Sequence, residues 1–258
     1  MCTLMLALRP SPGTLLAVSG NRNEFLDRPA TGPRLHPPSF PGAPRVLMPR
    51  DERAGGTWLG LNNRGLFVCV TNRRSANLVP ERMSRGQLVV AALQQPTVAR
   101  LRAFLAALPP DRHNGFHLVF ASVEEAGVLV CDGARSELLV LAPGLHLVTE
   151  RSYGAGEGAR EKTVLADFEA LFRGEEPGVA ALREPMRRHG PADAPLEGAC
   201  VHADARGYGT RSSLQLRVPA HGAASALWTD GHPCTEEPRD LSAEVARLFD
   251  PVVRRTVR

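Results

Sequence analysis

Three blocks of short apolar segments alternate with two pairs of helix-like segments along this chain of 258 residues. The first block opens with "CTLMLAL" and "TLLAVSG", which are joined by the turn "RPSPG" and predict a β-hairpin. Helical patterns in "SRGQLVVAALQ" and "PTVARLRAFLAALPP" follow, then four strand-like runs, two further helical patterns and a last group of strands. Each sheet has one apolar face to cover, so this order predicts two sheets packed together with helices outside.

The predicted fold class is therefore α+β, as a four-layer αββα sandwich in which helices flank two packed antiparallel sheets. No internal repeat or change in composition divides the chain, so residues 1–258 are expected to form one domain. Residues 28–50 contain seven prolines without clear periodicity and are expected to form a surface loop. The first strand starts directly after Met1, so its first side chain is expected at a sheet end, where a cleft can form.

Composition argues against several classes of partner. The 31 basic residues are spread along the chain and Lys162 is the only lysine, so no clustered basic patch predicts binding to nucleic acid. No apolar run approaches the ~18 residues of a membrane span, and "LMLAL" is too short for the core of a signal peptide. Five widely spaced cysteines with no C-x-x-C pair predict neither a disulfide framework nor a zinc ribbon. A reducing cytoplasm is the expected location, and no residue is assigned to a metal.

Cys2 is the first candidate functional residue. Methionine aminopeptidase removes Met1 when residue 2 is small, so the mature chain would begin with a thiol and a free α-amine on one residue. Their reference pKa values are about 8.5 and about 7.8, so the amine can act as a base for the thiol near neutral pH. The alternative is that Cys2 is an ordinary small apolar residue at the start of an edge strand.

Three polar residues at predicted strand ends are candidates to assist such a nucleophile. Arg22 follows the second strand in "SGNRNEF", Asn72 ends a strand in "VTNRR", and Arg211 follows the turn "GYG". A single preorganised oxyanion donor changes a reaction rate by about 10²–10³-fold, so such donors matter more than the thiol pKa. Each residue also has a purely structural interpretation, as part of a turn, as a strand end or as a solvated arginine.

Several motifs occur in the order and approximate spacing of one known family. "MC", "NRNEFLDRP", "GGTWLGLNNRG", "SRGQLV", "HNGFHLV" and "GYGTR" resemble the NRDE family, also called the Transport and Golgi organisation protein 2 family, from Cys2 to at least Arg211. The resemblance implies an N-terminal nucleophile hydrolase fold. It also implies cleavage of a non-peptide C–N amide or a thioester, with no cofactor required.

The resemblance further implies roles for individual residues. Cys2 corresponds to the nucleophile, and Arg22 corresponds to the cation beside it. Asn72 corresponds to an oxyanion donor, and Arg211 corresponds to a charge at the cleft floor. The residues expected to contact the substrate lie in "GGTW" and "GYGTR" and are Gly56, Trp58 and Tyr208.

Two positions depart from the family pattern. Asn23 stands where the Asn-Arg-Asp-Glu signature has its aspartate. An aspartate carboxylate there would hold the α-amine and balance the charge of Arg22, whereas the asparagine amide carries no charge. Glu150 stands where relatives tend to carry an asparagine after a strand, and a carboxylate repels a developing oxyanion. Losing one oxyanion donor costs about 3–4 kcal/mol. Asn23 is kept as a catalytic candidate and Glu150 as a substrate-binding candidate.

Haem binding is the alternative function, because members of the resembled family have been implicated in haem trafficking. The segment "CVHAD" is expected to place Cys200, His202 and Asp204 on one face of a strand, as a candidate ligand set for haem iron or a soft metal. A non-catalytic carrier of an acyl ligand on the same fold is a third hypothesis. The glycine-rich segment "YGAGEGAR", which contains Gly156, is a weaker candidate for binding phosphate at a helix start.

Overall fold

The computed structural model describes residues 2–74, 78–154 and 158–250. Its helices are α1 (Arg85–Leu93), α2 (Val98–Ala106), α3 (Ala159–Arg173) and α4 (Ser242–Phe249). Its strands are β1 (Cys2–Ser11), β2 (Thr14–Phe25), β3 (Ala30–His36), β4 (Val46–Asp51), β5 (Leu59–Asn62), β6 (Phe67–Asn72), β7 (Phe116–Ala121), β8 (Ala126–Cys131), β9 (Ser136–Leu141), β10 (Gly144–Val148), β11 (His202–Ala203), β12 (Tyr208–Pro219), β13 (Ser225–Asp230) and β14 (Arg239–Asp240). Met1 and Gly156, which carry two of the sequence hypotheses, lie outside the described residues. Within the described ranges, no helix is long and apolar enough to cross a membrane.

The strands form two antiparallel sheets. The first sheet has the order β10-β1-β2-β12-β13-β14, with β11 paired to β12, and the second sheet runs in chain order from β3 to β9. Apolar residues of both sheets form a core between them. Helices α1 and α2 cover the outer face of the second sheet, and α3 covers the outer face of the first. The predicted four-layer αββα sandwich is confirmed.

Strand β1 is buried on both faces because its side chains alternate between two cores. Leu4 and Leu6 face the core between the sheets, whereas Met5 and Ala7 face α3. All four residues are at most 1% exposed. Strands β2 and β10 pair with β1 from its two sides, so backbone hydrogen bonds hold it throughout. This strand therefore fixes the position of Cys2, its first residue.

The prediction that residues 28–50 form a loop is wrong for two parts of that range. Strand β3 and the first five residues of β4 lie within it, and the two strands pair with each other, which leaves 37–45 as their connection. Pro33 is tolerated because β3 is an edge strand and because the register shifts between Thr31 and Arg34; Pro49 of β4 lies opposite this shift. Proline has no backbone N–H to donate to a neighbouring strand, and at a sheet edge or a bulge some positions need no such donor.

Three of the four predicted helices form at the expected positions, and the fourth does not. The segment "GVAALREPMRRH" forms a 3-10 helix at Ala181–Arg187, with Pro185 inside it. Proline removes a backbone donor and clashes with the preceding turn of an α-helix, which explains the tighter and shorter element. Helix α4 was not expected from the sequence, and its Val245 and Leu248 pack into the core between the sheets.

A buried ion network anchors the start of α3. Arg160 Nη2 donates to both carboxylate oxygens of Glu150 at 2.8 Å and to Glu161 Oε1 at 2.8 Å. Burial alone raises the pKa of Glu161, but the hydrogen bonds and charge of Arg160 lower it to about 2. Because folding lowers this pKa, the ionised Glu161 carboxylate stabilises the folded state fully above about pH 4.5, and this stabilisation is lost as the pH falls toward 2.

Arg160→Leu is expected to lower the free energy of unfolding by about 3–5 kcal/mol at pH 7, because it leaves two buried carboxylates without this cation. Urea denaturation measures the change. Arg188→Leu is the matched control, since it breaks an exposed pair with Asp167 and is expected to cost at most about 1 kcal/mol. Equal losses in the two variants would contradict the assignment.

Candidate active site

Cys2 lies at the start of β1, opposite Arg22 of β2 in the antiparallel register. Cys2 is 8% exposed and lines a pocket of about 300 Å³. Small-molecule sites in proteins have volumes from about 300 Å³ upward. Sheet pairing thus holds Cys2 in the wall of a pocket that is large enough for a small ligand.

The Cys2 pocket gathers residues from distant parts of the chain. Six of the residues predicted from the sequence line it, namely Cys2, Arg22, Asn23, Gly56, Trp58 and Asn72. Arg22 and Asn23 belong to β2, and Asn72 ends β6 with an exposed side chain. Gly56 and Trp58 precede β5. The pocket therefore lies where strand ends of both sheets meet.

Arg211 lines a second pocket of about 320 Å³, which shares a wall with the first. The shared residues are Arg22, Asp51 and Trp58. The register between β12 and β2 shifts between Thr210 and Ser212, so Arg211 is the extra residue of a bulge. A bulge redirects a side chain. Arg211 consequently faces the neighbouring pocket instead of the floor of the Cys2 pocket that the resemblance implied.

Tyr208 acts on the Cys2 pocket through Asn23. Its hydroxyl donates to the backbone oxygen of Asn23 at 2.8 Å, and its ring packs edge-on against Phe25. Burial raises the pKa of Tyr208 far above its ordinary value. Tyr208 is not among the described residues that line the pocket, and its observed contact positions the backbone of Asn23. Contact between Tyr208 and a substrate stays a prediction.

Glu150 also lies outside the described lining of the Cys2 pocket. Arg160 binds both of its carboxylate oxygens, and the backbone N–H of Arg74 donates to its backbone oxygen at 2.7 Å. Its negative charge is therefore neutralised within the ion network. The repulsion of an oxyanion that the sequence led us to expect is offset by this pairing.

Burial raises the pKa of the Cys2 thiol above its ordinary value. The charge of Arg22 and a hydrogen bond from the backbone of Asn23 act in the opposite direction. Because desolvation outweighs them, the thiol is mainly protonated at neutral pH. Reaction at the sulfur therefore needs a base that removes the thiol proton.

Asp51 supplies the carboxylate that the sequence motif lacks at Asn23. Its Oδ2 accepts hydrogen bonds from Arg22 Nη2 at 2.7 Å and from Arg28 Nε at 2.6 Å. Burial alone raises the pKa of Asp51, but hydrogen bonds from Arg28 and a backbone N–H, together with both arginine charges, hold it below its usual value. Asp51 is thus ionised at neutral pH and fixes the guanidinium beside the nucleophile candidate. Sequence patterns did not indicate it, because it ends β4, whose other residues lie in the range interpreted as a loop.

The start of α1 forms another wall of the Cys2 pocket. Ser84 caps this helix by accepting a hydrogen bond from the N–H of Gly86 at 3.2 Å. A Cβ on Gly56 would lie 2.4 Å from the backbone carbonyl carbon of Gly86, so this close approach requires glycine. The contact brings the N-terminal end of α1, which carries a partial positive charge, to the pocket.

Two arginines that sequence patterns did not indicate, Arg82 and Arg85, also line the Cys2 pocket. Both donate to backbone oxygens. The described lining contains four arginines and only two carboxylates, those of Glu24 and Asp51. Positive charge therefore exceeds negative charge around Cys2. The only feature of the sequence that sets Arg82 and Arg85 apart is their position near the predicted helix start in "ERMSRGQL".

The candidate ligand set in "CVHAD" lies away from this pocket. Strand β11 covers only His202–Ala203, and Asp204 begins a 3-10 turn, so the three residues do not share one strand face as predicted. Cys200 and His202 nevertheless meet, with Sγ and Nε2 3.6 Å apart. Cys234, which sequence spacing did not connect with them, joins this cluster.

Several solved structures share the overall fold, and two of them show the extent of the likeness. An N-acylethanolamine-hydrolyzing acid amidase ortholog from Caenorhabditis elegans matches with a TM-score of 0.58 and 12% identity, over 83% of this chain and 92% of that one. A variant of the conjugated bile acid hydrolase from Clostridium perfringens matches with a TM-score of 0.61 and 10% identity, over 96% of this chain and 94% of that one. At such identities the likeness concerns the fold alone. The fold is that of the N-terminal nucleophile hydrolases.

The model of the Transport and Golgi organisation 2 family matches residues 1–227, and the chain belongs to this family. A Transport and Golgi organization protein 2 homolog from Bos taurus is 26% identical over 96% of each chain. The Mus musculus homolog is 28% identical over 57% of this chain and 55% of its own. The resemblance indicated by the motifs is thereby confirmed.

Arg22→Gln is expected to raise the pKa of the Cys2 thiol further, because it removes a cation that favours the thiolate. The pH midpoint of Cys2 alkylation by iodoacetamide, followed by peptide mass spectrometry, should move upward. Arg50→Gln, which removes an exposed arginine paired with Glu52, should leave the midpoint in place. No shift in Arg22→Gln would show that this charge does not act on the sulfur.

Proposed function

We propose that this chain is a cysteine hydrolase of a non-peptide C–N amide or a thioester, with Cys2 as its nucleophile after removal of Met1. The observation that carries the proposal is the convergence of Cys2, Arg22, Asn23 and Asn72 on one pocket. The fold in common with two proteins described as an amidase ortholog and a hydrolase supports it. The proposed location is the reducing cytoplasm, where a thiol nucleophile stays reduced.

Acylation begins when the Cys2 thiol gives its proton to its own α-amine, directly or through one water. The sulfur then attacks the substrate carbonyl carbon, and the C=O electron pair moves onto oxygen. Asn72 and backbone N–H groups stabilise this oxyanion, which is the largest single contribution expected from the protein. The α-ammonium protonates the leaving nitrogen or sulfur as its bond to carbon breaks, and the acyl group remains on Cys2 as a thioester.

Deacylation uses the same groups in the opposite sense. The α-amine takes a proton from a water molecule as that water attacks the thioester carbon, and the oxyanion forms again at the same donors. Its collapse breaks the bond to the Cys2 sulfur, which takes the proton back from the α-ammonium, and releases a carboxylic acid. Arg22, held in place by Asp51, favours the negative charge that develops on sulfur.

The charge of the pocket favours a negatively charged substrate. Arg82 and Arg85 line the pocket, and their described hydrogen bonds go to backbone oxygens and not to carboxylates. A guanidinium in such a position can still bind a carboxylate, sulfonate or phosphate group on the substrate. We therefore expect acyl amides or thioesters with an anionic group to react about tenfold faster than neutral ones, as one charged hydrogen bond implies.

Cys2→Ala is expected to abolish turnover, because no other group takes the place of the sulfur. Intact mass analysis of the parent chain should first show that Met1 is absent. The chain is then incubated with a panel of acyl amides and acyl thioesters, each in a neutral and an anionic form. Peptide mass spectrometry after acid quenching should find the acyl group on the N-terminal peptide of the parent chain and not of the variant.

Two further chains serve as controls for this experiment. Cys69→Ala removes a cysteine that is buried in the core between the sheets, and it should keep turnover if the fold persists. A chain extended by one residue before Cys2 keeps the thiol but has no α-amine on that residue, so it should lose turnover. Parent-level turnover in Cys2→Ala would refute the proposal.

Carriage of haem or of an acyl ligand is the second candidate function. Haem carriage is supported by the partly exposed His202 imidazole, a donor type that ligates haem iron, with the Cys200 sulfur 3.6 Å from it as an alternative donor. One of the two residues would hold the iron, and bound haem would supply redox chemistry. Haemin added to the chain would then give a Soret shift that His202→Ala removes and Cys2→Ala keeps. An acyl carrier would instead retain its ligand without turnover.

A further inference from the structure

Four potential metal ligands converge outside the Cys2 pocket. Their donor atoms, from His189, Cys200, His202 and Cys234, all lie within 4.8 Å of one another. Cys200 Sγ lies 3.6 Å from both His202 Nε2 and Cys234 Sγ, and His202 Nε2 lies 3.0 Å from Cys234 Sγ. Zinc bound at about 2.3 Å from sulfur and about 2.0 Å from nitrogen places tetrahedral ligands roughly 3.3–3.8 Å apart. The observed separations are close to this spacing.

The backbone brings the first two ligand segments together. The N–H of Cys200 donates to the backbone oxygen of Arg188 at 3.0 Å. Gly190 and Gly198 are so close that a Cβ on Gly198 would lie 2.3 Å from the nitrogen of Gly190. Because only glycine permits this crossing, the segment with His189 is held against the segment with Cys200.

The third ligand segment is the loop between β13 and β14, which carries Cys234. Arg187 Nη2 donates to the backbone oxygen of Cys234 at 3.4 Å. His232 in the same loop stacks on His202, with ring centroids 3.9 Å apart. Three segments that are distant in sequence are thus already arranged around one point.

We infer that Cys200, Cys234, His202 and His189 form a tetrahedral site for one zinc ion. Binding Zn²⁺ releases one proton from each thiol, so two protons leave and two thiolates with two neutral imidazoles balance the ion. Cys200, His202 and Cys234 are buried or partly buried, and the exposed His189 supplies the fourth donor, within 4.8 Å of the other three. None of the four lines the Cys2 pocket, so the site does not depend on the proposed hydrolysis.

The arrangement of donors favours a single ion over haem. Iron in haem already has four ring nitrogens and accepts protein ligands only on opposite faces of the ring. Four side chains that converge on one point instead match a tetrahedral ion. Thiolate and imidazole ligands together also favour zinc over magnesium or calcium, which prefer oxygen.

Metal analysis of the purified full-length chain tests the inference. The parent chain is expected to contain close to one zinc per chain and, after chelation, to bind Co²⁺ with the absorption bands of tetrahedral thiolate-bound cobalt. Cys234→Ser and His202→Ala should lose nearly all bound zinc. Chelation should lower the Tm of the parent chain by several degrees and leave the Tm of Cys234→Ser unchanged.

His221→Ala and Cys2→Ala are the matched controls, and both should retain zinc at the parent level. His221 is an exposed histidine that does not belong to the cluster, and retention in Cys2→Ala separates this inference from the proposed hydrolysis. A disulfide between Cys200 and Cys234 in the parent chain, detected by peptide mass spectrometry without reductant, would overturn the inference. Parent-level zinc in Cys234→Ser, or haemin that displaces the zinc, would overturn it as well.

Discussion

The pairing of β1 on both sides is the constraint on which the Cys2 pocket depends. Strand β1 lies between β2 and β10, and its side chains alternate between the core shared by the sheets and the layer beneath α3. The end of a chain is normally costly to order, because each fixed residue loses about 1–2 kcal/mol of backbone entropy. Burial of the apolar residues that follow Cys2 offsets this cost, so the ladder itself holds Cys2 opposite Arg22.

The balance of charge beside Cys2 is maintained by a residue that is distant in sequence. Asn23 leaves the family motif without its carboxylate, yet Asp51 binds Arg22 directly. Asn23 still contributes through its backbone, which hydrogen-bonds to the Cys2 sulfur and accepts a hydrogen bond from Tyr208. A carboxylate on another strand therefore pairs with the Arg22 guanidinium, although position 23 of the motif carries an uncharged amide.

Sequence patterns predicted the layers of this fold more fully than its connections or its pocket. Alternating and helical periodicities depend on near neighbours, which is why β1, β2, β6 and α1 to α3 were expected. Strands β3 and β4 were missed because their proline-rich segments lack that periodicity. Asp51, Arg82 and Arg85 reach the pocket through tertiary packing, and no local spacing indicates them. Similarly, Cys200 and His202 are near in sequence, whereas only folding brings His189 and Cys234 to them.

Burial of Cys2 places a condition on the proposed removal of Met1. In the folded chain the residue next to Met1 is 8% exposed and is paired across the sheet, so an aminopeptidase that binds this segment in its own cleft has to act earlier. A hairpin of two strands is marginally stable by itself, and β10, the second neighbour of β1, begins only at Gly144. The proposed trimming of Met1 is therefore expected before Gly144 has been synthesised and β10 has paired with β1.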